Sequence, residues 1–100
     1  MAIDLLPGAD LVEAGIEDLR KGRESTPALL VSIGAPRLRR IGIPVPEQTF
    51  EQPELRLYRR LSRTNSNSAH SRYNALIRRL VSFERAAECV KKPIPEKSKS

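Results

Sequence analysis

Between positions 56 and 79, the candidate anion-binding side chains are Arg56, Arg59, Arg60, Arg63, His70, Arg72 and Arg79. Within RLYRRLSR, residues 56–63, four of them recur at i, i+3, i+4 and i+7. On a helix turning about 100° per residue this makes one arginine stripe, with Leu57, Tyr58 and Leu61 gathered on the other side. Like charges at that spacing repel by roughly 0.2–0.5 kcal/mol per pair, so an anion facing the stripe would relieve a standing cost. A guanidinium fork fits carboxylate and phosphate alike. The stripe therefore offers recognition of an acidic protein surface, recognition of a nucleic-acid backbone, or a solvated face.

The residues that follow extend the second of these options. A helix carrying the stripe, the polar linker Thr64-Asn65-Ser66-Asn67 and a helix opening on SAHSRYN together have the outline of a helix-turn-helix over residues 53–91. In that arrangement Ser68, His70, Ser71, Arg72 and Asn74 lie where short polar side chains meet base edges. Ser68 also has the simpler role of a helix cap. Arg63 and His70, six residues apart, resemble the loose Arg-x(4 to 6)-His signature of the helical HEPN ribonucleases. That resemblance implies a histidine and an arginine acting at a dimer groove.

Other chemistries find no footing. One histidine and one cysteine, Cys89, make neither a metal quartet nor a disulfide, and no phosphate-cradling glycine pattern occurs. Asp10, Glu13 and Glu17 recur at helical spacing, an arrangement that is ordinarily a solvated face. No catalysis and no cofactor are expected.

Four or five helices must position these groups. After Pro7-Gly8, the segment ADLVEAGIEDLRKG sets Leu11, Val12, Gly15, Ile16 and Leu19 on one face, and Gly15 there would let another helix approach closely. Ser25-Thr26-Pro27 supplies a cap and a first-turn proline for a second helix bringing Leu29, Leu30 and Ile33 inward. Gly34-Ala35-Pro36 should end or kink it, with PRLRRIG resuming as a short basic helix. IPVPEQTF, residues 43–50, reads as an extended surface connection, and Pro53 as the first turn of the arginine helix. Finally, Ala69, Tyr73, Leu76, Leu80, Phe83, Ala87 and Val90 form a heptad seam, flanked by Ile77 and Val81, expected at the centre of the core with Leu76, Leu80 and Phe83 buried. Strand-like alternation is absent, so the fold class is all-α: a compact bundle of four or five helices over residues 1–92, with a disordered basic tail at 93–100.

The net charge of +6 is unevenly spread. Residues 1–50 hold 6 basic and 7 acidic groups, residues 51–100 hold 12 and 5. No apolar run approaches the roughly 20 residues of a membrane span, and the N-terminus lacks a secretory pattern, so a cytoplasmic protein is expected. The leading expectation for function is a small non-enzymatic interaction module. In it, the arginine helix engages an acidic protein surface, including the Asp10, Glu13 and Glu17 stripe of a second copy. Nucleic-acid binding is the alternative.

Overall fold

Four helices account for the secondary structure of the computed structural model, which describes residues 6–91, with side chains described through Cys89. They are α1 (Ala9–Arg20), α2 (Thr26–Arg40), α3 (Pro53–Thr64) and α4 (Ala69–Lys91), and no strand occurs among the described residues. The all-α expectation holds at its lower helix count. The expected disordered tail lies outside the described residues. No helix among them is long and apolar enough to cross a membrane.

The helix starts follow the local chemistry. Gly8 takes φ 79°, a left-handed conformation that glycine adopts without penalty, and turns the chain into α1. At α2 the Ser25 hydroxyl accepts from Ala28 N at 3.1 Å and donates to Asp18 Oδ2 at 2.6 Å, tying the cap to the end of α1. At α4 the expected Ser68 cap is replaced. The Asn65 side chain accepts from Asn67 N at 3.0 Å and Ser68 N at 3.2 Å, while the Ser68 hydroxyl turns back toward Asn65 O. Asn65 forms its own local turn, as a short carboxamide does, and that turn rather than a serine cap sets the α3–α4 connection.

Helix α2 does not end at Gly34-Ala35-Pro36, one of the two outcomes expected there, but runs through Pro36 to Arg40. An interior proline costs about 3 kcal/mol, and burial on both sides of it offsets that. Leu29, Leu30, Val31 and, beyond the proline, Leu38 are fully buried. Each large apolar side chain contributes about 1.5–3 kcal/mol on burial. The centre of the core is accordingly α2, not the α4 seam. A helix apolar nearly all round is one surrounded by others, and ALLVSIGA is such a stretch. Helix α4 closes the core from one side with Ala69, Leu80, Phe83 and Ala87, whereas Tyr73 and Leu76 are half-buried, so the burial expected of Leu76 is incomplete.

Two further expectations change. The 43–50 segment is no surface spacer: Ile43 and Val45 are buried and Phe50 packs against the core. Arg39 Nη2 reaches the carbonyls of Pro46 and Glu47, and Phe50 N donates to Ser32 Oγ at 3.3 Å, so the segment is strapped onto α2. Tyr58, expected on the inward side of α3, is exposed, because Leu57 and Leu61 alone set the buried direction.

Candidate functional site: the outward face of α3 and its neighbours

Helix α3 presents a narrow apolar edge inward and everything else outward. Leu57 and Leu61 are buried. At about 100° per residue the opposite side carries Leu55, Arg59, Ser62 and Arg63, with Tyr58 on one flank and Arg56 and Arg60 on the other. Among the described residues the exposed large hydrophobic side chains are Leu55, at 44% exposure, and Tyr58, at 38%. Tyr58 leans on Tyr73 of α4, ring centroids 5.9 Å apart. Burial, and then the charge of Glu54, push the Tyr73 phenol above its ordinary pKa.

The four arginines of the stripe do not behave alike. Arg56 Nη1 donates to Glu24 Oε1 at 2.9 Å and its guanidinium lies 5.8 Å from the Phe50 ring centre. Arg60 Nε donates to Thr26 Oγ1 at 3.2 Å. Half the stripe is thus anchored within the chain, by residues just before and at the start of α2. Arg59 and Arg63 are exposed, and neither makes a hydrogen bond or ion pair among the described residues. The repulsion expected along the stripe is relieved at one flank and persists at the outward pole.

The remaining predicted residues scatter. Arg79 is not available on α4: its Nη2 donates to Asp10 Oδ1 at 3.1 Å and Oδ2 at 3.5 Å, joining α4 to the first turn of α1. Arg79 flanks the seam on the side where the start of α1 packs. His70 is exposed, with Nε2 3.2 Å from Asn74 Nδ2, and Arg72 is exposed without a polar partner among the described residues. Arg63 ends α3 and His70 begins α4, with the Asn65 turn between them. No hydrogen bond brings their side chains together. No group of three His, Cys, Asp or Glu suited to a metal occurs among the described residues, and Cys89 is exposed.

A second polar cluster went unnoticed in the sequence. Glu84, 4% exposed, sits where Gly34 lets α4 close on α2: a Cβ at position 34 would fall 2.8 Å from Glu84 Oε2. Arg37 Nη1 reaches Glu84 Oε1 at 3.4 Å and its Nη2 reaches Glu88 Oε1 at 2.9 Å. Burial raises the Glu84 pKa and the Glu88 charge adds to it, while Arg37 opposes them. A carboxyl that holds its proton more tightly folded than unfolded favours folding fully below the unfolded value, about 4.5, and that contribution fades as pH rises through the folded value. Arg37 keeps Glu88 as a partner, so Glu84→Gln should match or exceed the parent at pH 7. The gain should vanish below the unfolded value, and urea unfolding at the two pH values reads the difference. The spacing of Glu84 and Glu88 with Arg37 gave no hint, since the contact crosses two helices.

The chain matches no protein-family model, no curated protein and no solved structure.

Proposed function

We propose that this protein is a small interaction module that acts by binding rather than catalysis, through the outward face of α3, and that it engages an acidic protein surface. One observation carries the reading: exposed Leu55 shares the outward face with the unpaired guanidinium groups of Arg59 and Arg63, and exposed Tyr58 lies on the adjoining flank. Tyrosine and arginine are enriched where protein interfaces hold their binding energy. An apolar pair beside two cations suits a surface that is both acidic and greasy better than bare phosphate. Capture from a native lysate should fall to background for Leu55→Ser/Tyr58→Ser and for Arg59→Gln/Arg63→Gln, and stay intact for Arg72→Gln. Capture unaffected by the α3 substitutions would contradict the reading.

Nucleic-acid binding has one observation in its favour. Residues 55–83 hold seven arginines and no carboxylate, so the α3–α4 hairpin carries a local positive field. Affinity for duplex DNA or single-stranded RNA that falls steeply with salt, and falls further in the Arg59→Gln/Arg63→Gln variant, would favour this second reading.

A further inference from the structure

We infer that the α3 face is occupied by a second copy of this chain, with Arg59 and Arg63 paired to Glu13 and Glu17 of the neighbour's α1 and with Leu55 and Tyr58 covering the cleft those carboxylates border. The inference rests on the α3 reading above and adds the identity of the partner.

The receiving surface is a cleft of about 340 Å³ between α1, the strapped segment after α2, and α4. Its floor is apolar, made by Val12, Ile16, Ile43 and Phe83, and Glu13 and Glu17 stand on its rim. Both carboxylates are exposed. Glu13 makes no hydrogen bond or ion pair among the described residues. Glu17 meets only Arg20 at 3.7 Å and Lys21 at 3.5 Å on its own helix, long exposed contacts of the kind that contribute little. Arg20 also borders the cleft, and with Lys21 it attends Glu17, which leaves Glu13 as the rim carboxylate with no cation beside it among the described residues. Asp10, the third member of the acidic stripe, is already engaged by Arg79 and takes no part.

The two surfaces correspond in spacing as well as in sign. Glu13 and Glu17 are four residues apart on a helix, as are Arg59 and Arg63. Such pairs present Cβ atoms about 5–6 Å apart, so two helices laid side by side form both ion pairs at once. Each surface also sets an apolar patch beside its charges. Within one molecule they are not paired: α1 and α3 each pack on α2 and α4, and at most a minor contact joins α1 to α3. A neighbour can supply what the fold withholds. Every copy carries both surfaces, so two copies exchange them across a two-fold axis or successive copies join head to tail.

Sedimentation velocity of the full chain tests this. At roughly 0.05 M salt and tens of micromolar protein the expected species is larger than a monomer, and about 0.5 M salt should return it toward monomer by screening the pairs. Arg59→Gln/Arg63→Gln and Glu13→Gln/Glu17→Gln should each weaken association about tenfold or more. All four side chains are exposed, so both variants should keep the parent's helical circular dichroism. Mixed together, the two should regain a one-to-one complex, because one retains the cleft and the other the α3 face. A parent that is monomeric at low salt, or a mixture that stays monomeric, overturns the inference. If such a monomer still captures another protein through Leu55 and Tyr58, only the second-copy assignment falls. If instead it binds duplex DNA through Arg59 and Arg63, the occupant is phosphate and the assignment falls. Self-association indifferent to the α3 substitutions overturns the α3 reading as well.

Discussion

Truncation of Phe83 to alanine is expected to destabilise the protein by about 3–5 kcal/mol, the range for a large aromatic side chain lost from a close-packed core. Phe83 is 1% exposed and heads the fully buried side chains by volume. It lies under the entry to α1, where a Cβ at Gly8 would come within 3.4 Å of Phe83 Cβ, and it also floors the α1 cleft beside Val12 and Ile16. The surrounding helices cannot collapse into the gap without moving α1 or α4, so little of the loss is recovered. Leu76→Ala is the comparison, since that side chain is on the same helix but only half-buried. Its cost should be well below that of Phe83→Ala in urea unfolding at pH 7. Equal costs would mean that the α4 seam is uniformly buried, which the exposure pattern denies.

Gly15→Ala should be the second large effect, a loss of about 1–3 kcal/mol from overpacking. In an exposed helix the same substitution would stabilise by about 1 kcal/mol through helix propensity, so the sign is diagnostic. Gly15 is where α1 crosses α2. A Cβ there would lie 2.3 Å from the Pro27 carbonyl oxygen and 2.4 Å from Val31 Cγ2. The valine methyl could rotate away, but the backbone oxygen at the first turn of α2 cannot, and α1 would have to withdraw. Because α1 carries Glu13 and Glu17, a withdrawal would also displace the proposed receiving surface. Thermal unfolding reads the effect, and a raised melting temperature would show that the helices do not approach this closely.

Much of this architecture was legible in the chain because the relevant signals are local. Gly15 on an apolar helix face, Ser25 before Thr26-Pro27, and Pro53 at the head of the arginine helix each describe one or two turns of backbone, and each holds. The misreadings come from competition between elements. Pro36 argues for an end or a kink when α2 is considered alone, and the ending is overridden by burial of Leu38 beyond it. The heptad seam of α4 is the longest periodic signal, yet periodicity is a mark of one-sided burial. The helix in the centre is buried nearly all round, so no single stripe in its sequence announces that place.

The site divides along the same line. That four arginines share a stripe follows from spacing alone. That Glu24 and Thr26 anchor Arg56 and Arg60, leaving Arg59 and Arg63 outward, depends on where the connection before α2 meets α3. A loop carboxylate 32 positions away carries no periodic signature. Asp10 and Arg79, 69 positions apart, pair for the same reason. Tyr58 could have been placed better from sequence, since only Leu57 and Leu61 lie four apart and a two-residue stripe is narrow.

That the outward face of α3 receives a second copy is tested most directly by amide chemical shifts of uniformly labelled protein as its concentration is raised at low salt. Residues 55, 58, 59 and 63 should shift together with residues 13 and 17, and the same set should return toward the dilute spectrum when salt is added. A spectrum unchanged by concentration, or shifts confined to surfaces other than α3 and α1, would contradict it.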